Sequence, residues 1–441
     1  MLPVHRYTVG LPRRYIGLLI CFIPLSLILY TYFGHLSALL SNQLAPPSHA
    51  IFSSSSSAPP LLDKSNDNVN LNLVLVSAFF PLARSKHSMV AYTDWLSRFL
   101  GQVTTPIYFY CPPSLESTIR LIRGDVGPIT IDTRFQDAFQ VPPLKGKEGE
   151  YEEMHGWDRE KDHHSPELYA VWAGKAYLLS DALSQLEAVH GPGKVKYAFW
   201  SDAGSFRQTH AYSAWPSFER VQELWEEGGA SPDPPNSKIF FPLQRLPPPS
   251  FSSWSESSGP IDADFTVGSF FGGSPSAVYW FEKAYYAYHD YYRSMNIFVG
   301  KDQTLFNSLI ALFPDRFLGV FMGDPQAPAV VPSMKEKVKD ESPAYIDYDI
   351  TEHILGVCGN QWYYYQFFLA SETEREVMSD FMVKNIGWKF WTSDWWKNVG
   401  NKVSGGEVKE KCRTTRIIKM RESLRRVWGE DWEPPKGTVQ F

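Results

Sequence analysis

The stretch Lys194-Val-Lys-Tyr-Ala-Phe-Trp-Ser-Asp-Ala-Gly-Ser-Phe-Arg207 contains an apolar, aromatic run that gives way abruptly to polar residues. Residues 197–200 are typical of a strand buried on both faces of a sheet. The polar and flexible residues 201–204 indicate the carboxyl end of that strand and a tight turn. Ligands of open α/β sheets bind beyond the carboxyl ends of the strands, which makes Asp202 a candidate ligand-binding carboxylate. An Asp that simply begins a turn is the alternative interpretation.

Strands and helices alternate on both sides of this stretch. Residue 165 is a good helix cap, because Ser165 is followed by Pro166 in the first helical position. The alternation predicts an α/β fold with parallel strands joined by right-handed crossovers. The predicted strands cover residues 71–80, 106–111, 128–132, 197–200, 238–242 and 265–273, and the main predicted helices cover residues 88–100, 115–123, 165–190, 276–293 and 301–312.

Composition excludes several classes of protein. The 441-residue chain has a formal net charge of −6 and no strongly basic block, which argues against a nucleic-acid-binding protein. Its four cysteines are widely spaced and form no CxxC pair, so no zinc site is indicated. Cys21 lies in an apolar segment, and the other three cysteines allow at most one disulfide, whose pairing the sequence leaves open.

The amino-terminal residues predict a membrane anchor. Residues 1–14 are basic without an acidic residue, and residues 15–33 are almost wholly apolar, close to the ~20 residues that cross a bilayer as a helix. The positive flank comes first, so we expect a single-pass type II protein with a short cytoplasmic tail and a lumenal carboxyl side. A cleaved signal peptide is the competing interpretation, but the apolar segment is long for one.

The rest of the chain divides into three predicted parts. Residues 34–70 are rich in Ser and Pro and form a disordered stem. Residues 71–400 form the folded domain, and residues 401–441 form a basic, solvated carboxyl-terminal tail or helix. Within the folded domain, residues 140–164 are polar and are interpreted as a solvated loop, because the potential metal ligands there lack regular spacing. Those side chains are His155, Asp158, Asp162, His163 and His164.

Single polar groups follow several predicted strands. Asp202 and Arg207 follow one strand, Gly272 and Gly273 follow another, and residues 301–303 begin a helix. A carboxylate can hold a hard divalent cation, cationic side chains can neutralise phosphate oxygens, and glycine allows close approach to the backbone. A nucleophile elbow, a Walker loop and an HExxH motif are all missing from the sequence. The set therefore suits a metal–diphosphate site.

Six short motifs occur in order between about residues 71 and 317. They are Val76-Ser-Ala-Phe-Phe80 with Arg84, Lys86 and His87; Tyr92-x-x-Trp95; Trp172-x-x-Lys175; Phe199-Trp-Ser-Asp-Ala-Gly-Ser-Phe-Arg207; Gly272-Gly273; and Gly300-Lys-Asp-Gln303. As an ordered set they resemble the HtrL/YibB-type glycosyltransferase family, which belongs to the GT-A-like nucleotide-diphospho-sugar transferases. The resemblance implies a GT-A fold of Rossmann type, with a mixed, mostly parallel sheet flanked by helices. It also implies a nucleotide-sugar donor and a glycan or glycoconjugate acceptor in the secretory pathway, with the Golgi as the expected organelle.

The resemblance also implies roles for single residues. Asp202 takes the place of the metal-binding carboxylate, Asp302 is the base if the reaction inverts, and Arg207 and Gln303 complete the catalytic group. Ordinary explanations compete with each role: a strand end for residues 77–79, a surface lysine for Lys175 and a helix cap for Asp302. The implied donor-binding residues are Ser77, Ala78, Phe79, Arg84, Lys175, Gly204 and Lys301, and the implied acceptor-binding residues are Gly272 and Gly273.

The sequence departs from the family pattern at Gly204, which stands where a second metal-binding carboxylate is expected. A divalent cation, Mn²⁺ or Mg²⁺, is therefore in question, and Arg207 or Lys175 can supply part of the positive charge instead. His353 is a further candidate metal ligand, and an incidental loop histidine is its alternative. A catalytically inactive carbohydrate-binding scaffold and a metal-dependent hydrolase using Asp202 and Asp302 are the alternative functions.

Overall fold

A single mixed sheet forms the centre of the protein in a computed structural model, which describes residues 70–324, 326–332, 335, 354–385 and 410–441. Its strands are Leu73–Ala78 (β1), Ile107–Tyr110 (β2), Ile129–Asp132 (β3), Tyr197–Ser201 (β4), Ile239–Leu243 (β5), Phe270–Gly273 (β6), Phe317–Phe321 (β7) and Ile418–Lys419 (β8). Their order across the sheet is β3-β2-β1-β4-β6-β5-β7-β8. The expected mixed, mostly parallel α/β sheet is confirmed.

The chain reverses its direction of travel across the sheet next to β1. It runs from β1 outward to β2 and β3 and then returns to place β4 on the other side of β1, with all three neighbouring pairs parallel. A crevice opens at such a switch point, beyond the carboxyl ends of the two strands that flank it. Strands β6 and β8 run antiparallel to their neighbours, and β5 and β7 are parallel to each other.

Helices cover both faces of the sheet. Their starts follow the sequence signals: Ser88 and Ser165 each accept a hydrogen bond from a backbone N–H in the first turn of the helix that follows. The helices are Met89–Leu100 (α1), Glu116–Arg123 (α2), Glu148–His155 (α3), Pro166–His190 (α4), Phe218–Glu227 (α5), Pro275–Ser294 (α6), Asp302–Leu312 (α7), Tyr364–Phe368 (α8), Glu372–Asn385 (α9) and Met420–Trp428 (α10).

The core lies between the sheet and the long helices α4, α6 and α7. Aromatic residues fill much of it: Phe241 of β5 packs on Phe271 of β6 and on Phe306 of α7. Each of these rings is fully buried. Aromatic side chains remove large apolar areas from water, so this layer fixes how α7 sits against the sheet.

Two parts of the fold differ from the sequence prediction. Residues 140–164 are not simply a solvated loop, because α3 buries Tyr151 and Met154 completely. The carboxyl-terminal region is not a separate solvated tail either. Strand β8 pairs with β7, and Met420 and Leu424 of α10 are fully buried in the main core. The predicted boundary at residue 400 therefore does not end the domain.

A disulfide joins Cys358 to Cys412 across 54 residues, and Cys111 is a buried free thiol. This settles the pairing that the sequence left open. Within the described ranges, no helix is long and apolar enough to cross a membrane. The predicted tail (1–14), the predicted anchor (15–33) and the predicted stem (34–70) except its last residue lie outside those ranges, as does His353.

Candidate functional site

A cleft of about 1070 Å³ lies beyond the carboxyl ends of β1 and β4, where the direction of the chain across the sheet reverses. Ala78 and Phe79, at the end of β1, line one part of it, and Asp202, the first residue after β4, lines another. Its position is the one that the switch-point rule gives for ligand binding in open α/β sheets. The stretch Lys194–Arg207, which contains Asp202, therefore does reach a cleft.

Lys175 lies between two carboxylates on the floor of the cleft. Its ammonium nitrogen Nζ is 3.1 Å from Oδ1 of Asp202 and 2.9 Å from Oδ2 of Asp302. Nζ also donates a hydrogen bond to the carbonyl oxygen of Gly268, at 2.9 Å. The contact with Asp302 is an ion pair without the direction of a good hydrogen bond. Three residues from separate parts of the chain, Asp202, Gly268 and Asp302, thus converge on the ammonium nitrogen of Lys175.

Local structure explains this convergence. Lys175 lies on the buried face of α4, Asp302 is the first residue of α7, and Gly268 precedes β6. A carboxylate in the first turn of a helix is favoured by the helix dipole. A Cβ atom at position 268 would lie 3.2 Å from Oδ1 of Asp302, so glycine permits the close approach of these segments.

The two carboxylates differ in their environment. Asp302 and Lys175 are almost completely buried, whereas about a third of the Asp202 side chain is exposed (33%). Burial raises the pKa of Asp302, although Lys175 opposes that effect. Burial alone would lower the pKa of Lys175, but Asp202 and Asp302 together raise it above its ordinary value. The lysine therefore stays charged, and Asp202 is the member of the group that faces the cleft.

The indole of Trp200 fixes Asp202 from the side of the sheet. Nε1 of Trp200 donates a hydrogen bond to Oδ1 of Asp202, at 2.6 Å. The backbone N–H of Asp202 donates to the carbonyl of Ser269, at 2.9 Å, which extends the β4–β6 pairing by one step. The Trp200 indole therefore holds the Asp202 carboxylate, and the contact with Ser269 holds the Asp202 backbone.

The lining of the cleft is more basic than the chain as a whole. Five Lys or Arg side chains and three Asp or Glu side chains line it, whereas the whole chain has a net charge of −6. Such a cleft favours an anionic ligand. The cationic residues are Arg84, Lys86, Lys175, Arg207 and Lys301, and the acidic residues are Glu160, Asp202 and Asp302.

The loop after β4 brings Arg207 to the cleft. Its guanidinium lies over the ring of Trp95, 4.5 Å from the centroid, and Nε donates to the carbonyl of Gly204 at 3.2 Å. A Cβ atom at position 204 would lie 3.2 Å from Cε3 of Trp95. Glycine at this position thus lets the loop lie close against α1, which carries Trp95.

A wall of the cleft that sequence reasoning missed comes from residues 360–363. Trp362 and Tyr363 line the cleft, as do Phe79, Tyr92 and Trp172 on other elements. Gln361 also lines it, and its buried Nε2 has no hydrogen-bond partner among the described residues. An unpaired buried donor beside a cleft suits a polar ligand group. The mixture of amide and aromatic residues after Cys358 was the available sequence signal.

Most of the sequence-predicted site residues meet at this cleft. Its lining includes Ala78, Phe79, Arg84, Lys175, Asp202, Gly204, Arg207, Lys301, Asp302 and Gln303. Ser77 is fully buried in β1 and is not among the lining residues. Lys301 pairs with Glu160 at the rim, and Nε2 of Gln303 donates to the carbonyl of Thr266 at 2.6 Å.

Gly272 and Gly273 lie away from the cleft lining. They are paired with Phe199 and Ala198 in the antiparallel β4–β6 ladder, at the end of β4 opposite Asp202. A Cβ atom at position 272 would lie 2.1 Å from the carbonyl oxygen of Ala198. Strand packing therefore explains glycine at this position, and the position does not favour the acceptor-binding role that the resemblance implied.

The residues around Asp202 do not fit a divalent cation. The oxygen atoms that face one another there, from Asp202, Asp302 and Gly268, already surround the ammonium of Lys175. Gly204 supplies no carboxylate. Mn²⁺ and Mg²⁺ take oxygen ligands at much shorter distances than an ammonium group does, so a metal ion would have to displace Lys175.

A second group of potential ligands lies at the rim of the cleft, where oxygen or nitrogen atoms of Asp158, Glu160 and His164 lie within 4.8 Å of one another. Protein partners already occupy them. Asp158 accepts a hydrogen bond from the Tyr169 hydroxyl at 2.7 Å and pairs with His164 at 2.6 Å, and Glu160 pairs with Lys301. The group acts as a connection between α4 and the start of α7.

We compared the chain with models of protein families and with curated proteins, and neither comparison found a match.

Proposed function

We propose that this protein is a glycosyltransferase with a GT-A-like fold, which transfers a sugar from a nucleotide-diphosphate donor to a glycan or glycoconjugate acceptor. The observation that carries the proposal is the Lys175–Asp202–Asp302 group on the floor of a basic cleft at the switch point of the sheet. A buried charge group of this kind is costly to fold and is commonly kept for function.

The lining of the cleft matches the parts of such a donor. Arg84, Arg207 and Lys301 can neutralise the diphosphate, while the aromatic side chains offer flat surfaces for a base and a sugar ring. In the reaction, the bond between the anomeric carbon and the diphosphate oxygen breaks, and a bond forms to an acceptor oxygen. The acceptor proton leaves to a base, and the cationic residues stabilise the charge on the departing diphosphate.

Exposure separates the roles of the two carboxylates. Asp202 presents a third of its side chain to the cleft, and it is the carboxylate that we assign to contact with the sugar or the acceptor hydroxyl. Asp302 is buried behind Lys175, and we assign it as a positioning residue for that lysine. This assignment replaces the sequence-based hypothesis that Asp302 is the base.

We further propose that the protein is a type II membrane protein of the Golgi and that its folded domain lies in the lumen. The Cys358–Cys412 disulfide supports this location, because disulfides persist in oxidising compartments. The apolar residues 15–33 and the basic residues before them support the anchor and its direction.

The experiment is a donor screen on the full chain in detergent micelles, using UDP- and GDP-sugars and measuring both binding and release of the nucleoside diphosphate. We expect at least one donor to bind and turn over, and Asp202→Asn to lower the turnover by on the order of 100-fold. Asp233→Asn, in an exposed loop, is the matched control and should leave turnover unchanged. Failure of every donor to bind would contradict the proposal.

Gly204 favours one second candidate, a carbohydrate-binding protein without turnover, because a carboxylate is missing from the position where the family pattern has one. In that case, glycans should bind the cleft while nucleotides do not. The same screen separates the two functions when a glycan panel is added.

A further inference from the structure

We propose that Lys175 is the built-in cation of this site, so that the protein binds a nucleoside diphosphate without a divalent metal ion. The inference deepens the proposed function, on which its nucleotide part rests. Carboxylate and carbonyl oxygen atoms surround Nζ of Lys175, and a donor set of this kind holds Mg²⁺ or Mn²⁺ in other proteins.

The donor set has four oxygen atoms from three residues. Both carboxylate oxygens of Asp202 lie near Nζ, at 3.1 and 3.3 Å, together with Oδ2 of Asp302 at 2.9 Å and the Gly268 carbonyl at 2.9 Å. The ammonium is surrounded by these oxygen atoms: it donates hydrogen bonds to Oδ2 of Asp202 and to the Gly268 carbonyl, and it forms an ion pair with Asp302. Lys175 would therefore stabilise a bound diphosphate through its positive charge, which is part of what a metal ion would contribute.

Burial makes the lysine difficult to displace. The side chain of Lys175 is only 3% exposed and reaches the site from α4 through the core. An ion arriving from the cleft would have to displace this ammonium from its partners, because the oxygen atoms of Asp202, Asp302 and Gly268 that would hold the ion already surround Nζ. The cost of an unpaired buried charge is large, so the lysine and a metal ion exclude each other.

The charges around the site agree with this arrangement. Two carboxylates and one ammonium leave a single negative charge at the floor, while Arg84, Lys86 and Arg207 lie elsewhere along the same cleft. A diphosphate can therefore be neutralised by side chains alone. The missing carboxylate at Gly204 fits the same scheme, since a site filled by lysine does not need a further metal ligand.

Removing the ammonium should convert the donor set into a metal site. In Lys175→Ala, the same four oxygen atoms, three of them from the carboxyl groups of Asp202 and Asp302, would surround a gap. We expect this variant to have a lower thermal midpoint in EDTA than the wild type, and we expect Mn²⁺ to raise that midpoint by about 3 °C or more at saturating concentration. The wild-type midpoint should not respond to Mn²⁺.

The experiment therefore uses the full chain in detergent with MnCl₂ or EDTA as the probes, and reads the thermal midpoint and the electron paramagnetic resonance signal of free Mn²⁺. Adding Asp202→Asn to Lys175→Ala should abolish the Mn²⁺ response. Lys147→Ala, which removes another lysine paired with a carboxylate but lies outside the cleft lining, is the control and should gain no Mn²⁺ binding. A Lys175→Ala protein that folds but binds no Mn²⁺ would overturn the inference.

The wild type decides the matter if Lys175→Ala does not fold. Binding of Mn²⁺ to the wild type that disappears in Asp202→Asn would overturn the inference. If UDP or GDP binds with the same dissociation constant in EDTA and in Mn²⁺, the inference is supported. If Mn²⁺ lowers that dissociation constant tenfold or more, the inference is overturned. If neither nucleotide binds, the proposed function fails. Whether the wild type binds Mn²⁺ still shows if Lys175 or a metal ion occupies the donor set.

Discussion

The guanidinium of Arg207 lies 4.5 Å from the ring centroid of Trp95, between the loop that follows β4 and helix α1. Cation–π contacts of this kind hold an arginine in one orientation, and a planar guanidinium can offer two parallel N–H donors to a phosphate. The backbone carbonyl of Arg207 also accepts a hydrogen bond from Arg98 at 2.7 Å. Arg207 is consequently an exposed cation whose orientation at the cleft is fixed by these contacts.

Arg207→Lys should weaken the binding of a nucleoside diphosphate by about 10-fold, because lysine keeps the charge but loses the stacked, two-pronged donor. Titration calorimetry with UDP and GDP measures this change. Arg120→Lys, which alters an exposed arginine on α2 paired with Glu116, is the control and should bind like the wild type. Equal affinity in Arg207→Lys would mean that this residue does not contact the diphosphate.

Gly272→Ala should destabilise the protein by about 3 kcal/mol or more, because the added Cβ would overlap the Ala198 carbonyl and lie 2.6 Å from Cα of Phe199. Gly149→Ala is the matched control, since nothing lies within 4 Å of a Cβ atom there. In helix α3 that change should stabilise by up to ~1 kcal/mol. Denaturant unfolding measures both. A folded, stable Gly272→Ala protein with reduced acceptor binding would restore the acceptor role.

Sequence reasoning placed the strand end, the helix that carries Lys175 and the start of α7, because each has a strong local signal: an apolar run, a Ser-Pro cap and a charged first turn. It did not show that Lys175, Asp202 and Asp302 form one ion group. These residues are far apart in sequence, and their meeting depends on how β4, β6 and α7 pack, which no local pattern encodes.

Strands β7 and β8 show a second limit. β7 is a buried run of five residues, Phe317–Phe321, whose period does not distinguish a strand from a helix, and β8 has only two residues. The cleft wall at residues 360–363 was missed for the same reason, since it becomes part of the site only through the fold of the carboxyl-terminal region.

His210 should make the stability of the protein depend on pH. Burial lowers its pKa to about 4 from an ordinary value of 6.5. Nε2 faces the Arg98 carbonyl at 3.1 Å, and Nδ1 lies 3.1 Å from the Tyr212 backbone nitrogen, which donates to it. The neutral ring satisfies both contacts, whereas a proton on Nδ1 would oppose the Tyr212 N–H.

The unfolded chain therefore binds a proton between about pH 6.5 and pH 4 that the folded chain does not bind. Stability should fall as the pH falls through this window, with a total contribution from His210 of about 3 kcal/mol. Urea unfolding at a series of pH values measures it. His210→Gln should have a flatter profile than the wild type, and His163→Gln, at an exposed position, should keep the wild-type slope.

The disulfide between Cys358 and Cys412 should control the cleft wall as well as stability. Two backbone hydrogen bonds flank it, from Val357 to the Glu410 carbonyl and from Arg413 to the Leu355 carbonyl, both at 2.9 Å. The wall residue Gln361 follows Cys358 closely in the chain. Cys412→Ser should lower the free energy of unfolding by about 2–4 kcal/mol, because the cross-link no longer restricts the unfolded chain.

Reductant should lower the thermal midpoint of the wild type but not that of Cys412→Ser, and Cys111→Ala should keep the wild-type response, because Cys111 is a free thiol. Hydrogen exchange should also show faster exchange at residues 360–363 after reduction, since the bond that anchors this segment is gone. Unchanged exchange there, together with the expected loss of stability, would show that the bond stabilises the domain without holding the wall of the cleft.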